Sequence, residues 1–350
     1  MKPIRTLVAE ASSANRALLV GALRSDPDIE VVGEARSGLE AVEMTKKLLP
    51  DIVTMDVRMP QLDGFEATRQ IMVESPTPIV VVSSSVDVRD VEASMHALRA
   101  GALTVVPMPE GPESPAFEET TRRFVETVKS LSQVKVVRRW PRRETGSEAP
   151  APTVANARPR VVAIGASTGG PAAISRILSE LPGDFPVPIL VVQHISRGFI
   201  EGVAAWMNTA GALRVKVAQD GEPLEARKVY LAPDGRHLGV APDRRTIRIS
   251  DEAPIGGFRP SATHLFESVA KTFGSAAVAV ILTGMGRDGV DGLRKVREEG
   301  GHIIGQDEKT AVVYGMPGAA ADAGLVDLRL PIDEIAFRIV EKVARGGPRS

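Results

Sequence analysis

The chain has 350 residues, of which 43% are hydrophobic, and a formal net charge of −1. This length favours two domains, each with enough apolar material for its own core. A net charge near zero lacks the basic excess that proteins binding nucleic acid or anionic membranes carry. The absence of cysteine excludes disulfides, thiolate catalysis and Cys-ligated metals. Without an apolar leader or a membrane-length apolar run, we expect a soluble, cytoplasmic protein that does not insert into membranes.

The first part of the chain alternates short apolar runs with amphipathic stretches. Five such βα units predict a parallel, doubly wound α/β sheet. Ligands of these sheets bind beyond the carboxyl ends of the strands, so the residues that follow each run are the candidates for a site. Those residues are Glu10, Ala11, Asp56, Ser83 and Met108. The predicted strands are 6–9, 29–32, 52–55, 79–82 and 103–106.

The stretch MDVRMPQLDG, from Met55 to Gly64, resembles the signature of the response-regulator receiver domain, which has a flavodoxin-like fold. The resemblance implies that Asp56 is the phospho-acceptor, with Ser83 supplying a hydroxyl. The alternative is that Asp56 is a solvated turn residue that caps the next helix.

Two residues depart from the receiver pattern. Where the family has a second acidic residue after Glu10, this chain has Ala11, and Met108 replaces the family's lysine before a proline. A phosphoryl transfer to a carboxylate needs a divalent cation to neutralise charge. We therefore expect weak Mg²⁺ binding and poor phosphorylation of Asp56, and we expect Arg58 to pair with Glu10 or Asp56 in the space of the cation.

Alternation of strands and helices stops after an amphipathic segment at 117–131. The Pro-, Ala- and Arg-rich segment that follows predicts an exposed linker. We place the receiver at 1–133, the linker at 134–159 and a second domain at 160–346. A basic cluster in the linker is either a docking patch or a solvated run, and its members are Arg138, Arg139, Trp140, Arg142 and Arg143.

The second domain is again predicted to be a parallel, Rossmann-like α/β sheet. Ser167 lies between Gly165 and Gly169 in G-x-S-x-G spacing, in which a tight strand-to-helix turn displays a nucleophilic serine. The alternative is an ordinary βα turn in which Ser167 or Thr168 caps the helix. The predicted strands are 161–164, 189–192, 229–232, 277–282 and 302–304.

Two further reactive side chains follow strands of this domain, His194 and Asp288. A serine attacks an acyl carbon only if a base takes its proton and a carboxylate orients that base, so these residues suit a catalytic triad. Alternatively, Asp288 is a turn residue of a glycine-rich loop. For the remaining histidines we expect surface or hydrogen-bonded roles, with His96 on a helix, His237 in a turn, His264 in a polar segment and His302 at a strand start. A zinc site is not expected.

A series of motifs resembles the chemotaxis protein-glutamate methylesterase (CheB) family: IGASTGGP, VVQHIS, VYLAPDGRHL, FRPSATHLF, ILTGMGRDG and VYGMPGAA. The resemblance implies that Ser167 is the nucleophile, His194 the general base and acid, and Asp288 the orienting carboxylate. It also implies an oxyanion hole near Thr168 and Met285, and no cofactor for catalysis. The implied reaction is hydrolysis of glutamyl methyl esters on chemoreceptor helices, with deamidation of receptor glutamines, and the implied second partner is a chemotaxis histidine kinase.

Two other functions stay open on the sequence. One is a non-enzymatic regulator that docks on receptors or kinases with an unphosphorylated receiver. The other is an esterase for a small-molecule substrate. An intact set of Ser167, His194 and Asp288 favours an enzyme over a docking protein.

Overall fold

The computed structural model describes residues 2–83, 88–134 and 159–344, with the backbone alone at 88–90. Each of the two predicted domains contains a parallel sheet with helices, which confirms the α/β fold class. The domain boundaries at 133 and 160 stay predictions. The arginine cluster around Trp140 lies outside the described residues.

The first sheet has five parallel strands in the order β2-β1-β3-β4-β5, the flavodoxin-like order. The three central strands are mostly buried, as expected for parallel strands covered on both faces, whereas the two edge strands are partly exposed. The strands are β1 Ile4–Ala9, β2 Ile29–Ala35, β3 Ile52–Asp56, β4 Ile79–Ser83 and β5 Thr104–Pro107. The helices are α1 Ser13–Arg24, α2 Gly38–Leu48, α3 Gly64–Glu74, α4 Val88–Ala100 and α5 Phe117–Leu131.

Local caps determine where three of these helices begin. Ser12, Ser37 and Asp63 precede α1, α2 and α3, and each side-chain oxygen accepts a hydrogen bond from a main-chain NH in the first turn. The cap of α3 is therefore Asp63. The alternative in which Asp56 caps the next helix is wrong.

The second sheet has seven parallel strands in the order β14-β13-β12-β6-β7-β9-β8, and β10 and β11 form a separate antiparallel hairpin. The strands are β6 Val161–Ala166, β7 Ile189–Gln193, β8 Arg214–Val217, β9 Lys228–Leu231, β10 His237–Val240, β11 Ile247–Ser250, β12 Ala277–Ile281, β13 His302–Gln306 and β14 Leu328–Leu330. The helices are α6 Gly170–Glu180, α7 Ile200–Asn208, α8 Ala262–Phe273, α9 Val290–Glu298, α10 Met316–Asp322 and α11 Ile332–Ala344.

All five strands predicted for this domain are present, with ends that differ by a few residues, but the sheet is larger than predicted. Both of its edge strands, β8 and β14, were missed because they are short and partly exposed and so lack a continuous apolar run. The placement of His237 in a turn is also wrong, since this residue begins β10 and is 0% exposed.

Strand β6 lies between β7 and β12, which places a reversal of the strand order at the centre of the second sheet. Ligand sites of open α/β sheets form at such a reversal, beyond the carboxyl ends of the strands. Among the residues described, every helix falls short of the length and apolar character that a membrane span requires.

Candidate active site

The three predicted catalytic residues follow the three central strands of the second sheet. Ser167 comes directly after β6, His194 directly after β7, and Asp288 lies in the loop between β12 and α9. Because these strands are parallel neighbours, their carboxyl ends meet at one edge. The main-chain NH of His194 donates to the carbonyl of Ala166, 2.9 Å away, so His194 and the serine turn are directly connected.

The turn that carries Ser167 is held by main-chain hydrogen bonds. The NH of Ser167 donates to the carbonyl of Thr283 over 3.0 Å, and the carbonyl of Ser167 accepts from the NH of Gly170 over 2.8 Å. Gly169 has a φ of 76°, and a Cβ there would lie 2.6 Å from the Cβ of Val312, so both conformation and space require glycine.

The hydroxyl of Ser167 is not used by the fold. Helix α6 begins after Gly169 with no side-chain cap, so the alternative in which Ser167 or Thr168 caps the helix is wrong. No hydrogen bond joins the Ser167 hydroxyl to any residue that the structure describes. The structure thus presents this hydroxyl at the sheet edge without a structural partner.

His194 and Asp288 form a buried pair. Nε2 of His194 lies 2.9 Å from Oδ2 of Asp288, and the two side chains are 10% and 2% exposed. The other ring nitrogen, Nδ1, is buried and has no hydrogen-bond partner within the described ranges. One nitrogen of the imidazole is therefore engaged by a carboxylate, while the second is left for another proton partner.

Asp288 is fixed by the start of helix α8. Its carboxylate accepts hydrogen bonds from the hydroxyl of Ser261 (2.7 Å) and from the main-chain NH groups of Ala262 (2.7 Å) and Thr263 (3.2 Å). Asp288 therefore anchors the N-terminus of α8 and is not merely a turn residue. A helix N-terminus stabilises a negative charge, so the carboxylate is held ionised and in a fixed orientation.

The pKa of Asp288 reflects this environment. Burial by itself would raise the pKa, but the hydrogen bond and the charge of His194, together with the bonds from Ser261 and Ala262, lower it from 3.8 to about 2. Asp288 is therefore negatively charged at neutral pH. An ionised carboxylate only accepts hydrogen bonds, so Nε2 of His194 carries the proton and Nδ1 carries the lone pair.

Sequence reasoning missed three supporting residues, Gln193, Ser261 and Thr263, although they lie in the motifs VVQH and FRPSATHLF. The side-chain amide of Gln193 donates to the carbonyls of both Ser167 and His194, each over 2.7 Å. Thr263 Oγ1 accepts from the NH of Gly289 over 2.8 Å and so holds the loop after Asp288. A buried amide directly before the candidate base was the available signal.

The loop after β12 lies against the serine turn. A Cβ on Gly284 would lie 2.6 Å from the Cβ of Ser167, so only glycine permits this approach. Thr168 is buried, and its carbonyl accepts a hydrogen bond from Thr283 Oγ1 over 2.9 Å. No acceptor for the main-chain NH of Thr168 or of Met285 is present among the described residues. Neither NH group is therefore used by the main-chain hydrogen bonds of the described fold.

The other histidines have structural partners or lie away from the site. His237 donates to the carbonyl of Ala253 and stacks on His264 with 4.5 Å between ring centroids, and burial lowers the pKa of His237. His302 contacts Asp327 over 3.1 Å, and His96 lies on α4 in the first domain. His264, predicted to lie in a polar segment, lies on α8.

Comparisons with known proteins show which family the chain belongs to. Residues 162–339 match the family model of the CheB methylesterase, and residues 6–114 match that of the response regulator receiver domain. The chain is 55% identical to protein-glutamate methylesterase/protein-glutamine glutaminase 4 of Myxococcus xanthus over 350 residues, which covers 99% of this chain and 98% of the relative. The chain belongs to the CheB methylesterase family.

Two further similarities support the assignment. Protein-glutamate methylesterase/protein-glutamine glutaminase 3 of Anaeromyxobacter dehalogenans is 52% identical over 336 residues, 96% of this chain and 98% of the relative. The crystal structure of the Thermotoga maritima CheB methylesterase catalytic domain is 38% identical with a TM-score of 0.51, and the match covers 52% of this chain and 98% of that chain.

In this member of the CheB family, the receiver site holds two neighbouring carboxylates. Glu10 is 2% exposed and accepts a hydrogen bond from the NH of Ser12, and Asp56 accepts one from the NH of Arg58. Burial, followed by the charge of Asp56, raises the pKa of Glu10 from 4.5 to about 7, and the cation that lowers it is Arg16. A pairing of the Arg58 guanidinium with these carboxylates stays a prediction.

This donor set does not suit Mg²⁺ well. The position of a third carboxylate is occupied by Ala11, and within the described ranges no three Asp, Glu, His or Cys side chains are grouped to hold a metal. Ser83 ends β4, and its carbonyl accepts from the NH of Met108. We therefore derive no step through a metal at this site.

The receiver packs directly against the active-site edge. The guanidinium of Arg99 on α4 lies 5.5 Å from the ring centroid of Trp206 on α7. Met108, at the position of the family's lysine, belongs to one apolar cluster with Met285. Met108 and the loop beside Ser167 thus pack against the same apolar cluster.

Proposed function

We propose that this chain hydrolyses glutamyl methyl esters of chemoreceptors and deamidates receptor glutamines, and that it serves adaptation in chemotaxis-type signalling. The names of its relatives support this substrate class. The observation that carries the mechanism is the buried pair of His194 and Asp288 beside the serine turn. Chemoreceptor helices are then the substrate, and a chemotaxis histidine kinase is the partner that the receiver implies.

The first step is nucleophilic attack by Ser167. Its Oγ bonds to the ester carbonyl carbon while Nδ1 of His194 takes the hydroxyl proton, because Nε2 is engaged with Asp288. Asp288 stabilises the imidazolium that forms. In the described part of the chain the Ser167 hydroxyl makes no hydrogen bond. This agrees with a hydrogen bond from Ser167 Oγ to His194 Nδ1 that forms only when substrate binds.

The tetrahedral intermediate needs stabilisation of its oxyanion. The NH groups of Thr168 and Met285 are suited to donate to it, and one such donor is commonly worth roughly 10² to 10³ in rate. When the intermediate collapses, the carbon–oxygen bond to the methoxy group breaks, and that group leaves as methanol with the proton from His194. A glutamine side chain follows the same route and loses ammonia.

The second half-reaction restores the enzyme. Water attacks the acyl-Ser167 carbonyl and gives its proton to Nδ1 of His194, and the bond from carbon to Ser167 Oγ then breaks. His194 returns the proton to Ser167, and the receptor glutamate is released as a carboxylate. No cofactor takes part in either half-reaction.

Methanol release from methylated receptor tests the proposal. The wild-type chain is expected to release methanol, and Ser167→Ala to lose this activity almost completely. Ser179→Ala, which removes an exposed hydroxyl on α6 that donates to the carbonyl of Arg176, is the matched control and is expected to keep the wild-type rate. Wild-type methanol release by Ser167→Ala contradicts the proposed mechanism.

A further inference from the structure

The ring of Phe258 lies flat on the imidazole of His194. The ring centroids are 4.3 Å apart, and the planes differ by 7°. Phe258 is the first residue of the motif FRPSATHLF, whose Ser261 and Thr263 hold Asp288 and its loop. The same segment therefore contacts both partners of the pair, the carboxylate through α8 and the imidazole through an aromatic face.

A tight turn presents this ring. Ile255 and Phe258 exchange both main-chain hydrogen bonds, at 3.1 and 3.0 Å. The two residues between them, Gly256 and Gly257, have φ values of 58° and 85°. Two successive positive φ angles are the requirement of a type I′ turn, which glycine meets without strain. The position of Phe258 is thus determined by local backbone geometry.

The hydrogen bond to Asp288 does not by itself fix the plane of the imidazole. Rotation about the Cβ–Cγ bond of a histidine is soft, and Nε2 lies nearer to that axis than Nδ1 does. A rotation therefore keeps the contact of Nε2 with Asp288 approximately intact while Nδ1 swings away from its working direction. A flat stack on the ring face opposes this rotation directly.

The stack on Phe258 also affects how well the His194 imidazole holds a positive charge. The face of a phenylalanine ring is the negative side of its quadrupole, so it attracts a cation held over it. During the reaction the imidazole becomes a cation. The face of Phe258 therefore favours the protonated ring in addition to restraining its plane.

We propose that Phe258 is a positioning residue for the general base, which holds the plane of the His194 ring so that Nδ1 faces Ser167 and stabilises the imidazolium. This inference rests on the proposed function only in taking His194 as the base. The charged group that forms a hydrogen bond with the His194 ring is Asp288. Arg259, next to Phe258, directs its guanidinium to the carbonyls of Asp251 and Glu252, at 3.1 and 3.2 Å.

Phe258→Leu in the full chain tests the proposal, since leucine keeps an apolar cover but lacks a flat, electron-rich face. We expect kcat for methanol release to fall by roughly tenfold, as misalignment of a reacting group predicts, with KM changed by less than about twofold. The acid limb of the pH–rate profile is expected to move to lower pH by about half a unit. Phe258→Tyr restores the face and is expected to keep both wild-type values.

A second readout needs no substrate. In an NMR titration of the full chain, the His194 ring in Phe258→Leu is expected to titrate about half a unit below that of the wild type and Phe258→Tyr. Phe273→Leu, at the far end of α8, is the matched control and is expected to leave the titration unchanged. A thermal melt of each variant checks folding.

The outcomes separate this inference from the proposed function. If His194 titrates alike in Phe258→Leu and the wild type, or if Phe258→Tyr behaves like Phe258→Leu, the role of Phe258 is overturned. If the wild type releases no methanol, or Ser167→Ala keeps full activity, the proposed function fails, and the NMR titration still decides the role of Phe258.

Discussion

The carbonyl oxygen of Leu103 in the receiver accepts a hydrogen bond from the main-chain NH of Gly169, two residues past Ser167, over 3.2 Å. A second contact of the same kind joins Val105 to the catalytic domain, since its carbonyl accepts from the hydroxyl of Ser196 over 2.9 Å. Val105 lies in β5, an edge strand of the receiver sheet, and one side of an edge strand has no neighbouring strand to bond its carbonyls. The receiver therefore covers the main chain next to Ser167.

We expect substitution of Gly202 to open this cover and raise activity. A Cβ at Gly202 on α7 would lie 2.4 Å from Val91 and 3.2 Å from Met95, both on α4 of the receiver. Gly202→Leu should separate the two domains, and the kcat/KM of the full chain for methylated receptor should rise several-fold. Methanol release measures the effect.

The control is the same substitution in a fragment that lacks the receiver. A fragment of residues 160–350 contains all three candidate catalytic residues, and we expect it to fold and to be faster than the full chain. Gly202→Leu should not change its rate, because the clashing partners are absent. A decrease in the full chain, or an equal change in both proteins, would argue against a covering role.

The three candidate catalytic residues should act as one unit. Ser167→Ala, His194→Ala and Asp288→Ala are each expected to lower kcat by several orders of magnitude, with Asp288→Ala the mildest. Adding either of the last two substitutions to Ser167→Ala should cost little more, because the mechanism is already lost. Losses that multiply in the double variants would show that the residues do not share one mechanism.

Gln193→Glu should impair catalysis, although the side chain keeps its size and substrate binding changes little. A glutamate keeps the shape of the side chain but replaces the amide donor that bonds the carbonyls of Ser167 and His194. We expect kcat to fall by roughly 10 to 100-fold and KM to stay within about twofold, as misplacement of reacting groups predicts. The exposed Gln219→Glu serves as the charge-matched control. If Gln193→Glu and Gln219→Glu have the same kcat and KM, Gln193 has no role in the site.

Asp56 should be phosphorylated poorly or not at all. Ala11 and Met108 remove a carboxylate and a lysine that support phosphoryl transfer, so Mg²⁺ and the transferring group lose stabilisation. Intact mass after incubation with a small phosphodonor and Mg²⁺ measures this, and the double variant Ala11→Asp/Met108→Lys should gain a phosphoryl group. Stoichiometric labelling of the wild type that is lost in Asp56→Ala would refute the prediction.

The receiver should lose stability as pH rises from 5 to 7.5. The pKa of Glu10 is raised from 4.5 to about 7 by burial and by the charge of Asp56, so the folded receiver binds more protons than the unfolded chain between these values. The stability that depends on Glu10 is therefore complete below pH 4.5 and is lost as pH rises through 7. Urea unfolding of residues 1–133 at several pH values, with Glu10→Gln as reference, measures the difference. A flat wild-type profile would contradict it.

Much of the fold could be predicted because buried parallel strands are continuous apolar runs in the sequence. The runs before Ser167 and His194 are of this kind, and both strands are found where they were expected. The edge strand Arg214–Val217 has alternating partly exposed residues and therefore gave no such signal. His237 was placed in a turn because the glycine and proline before it are typical of turns, whereas burial by α8 and β11 determines its strand.

By itself, the sequence determined the α/β class, the candidate catalytic residues and the departures at Ala11 and Met108, since each depends on residue identity and local spacing. The tertiary structure alone decided that Asp288 binds the N-terminus of α8 while it holds His194, and that the edge of the receiver lies on the turn of Ser167. These contacts join residues far apart in the chain. Strand order, side-chain burial and the packing of the domains bring them together, and none of these is a local property of the sequence.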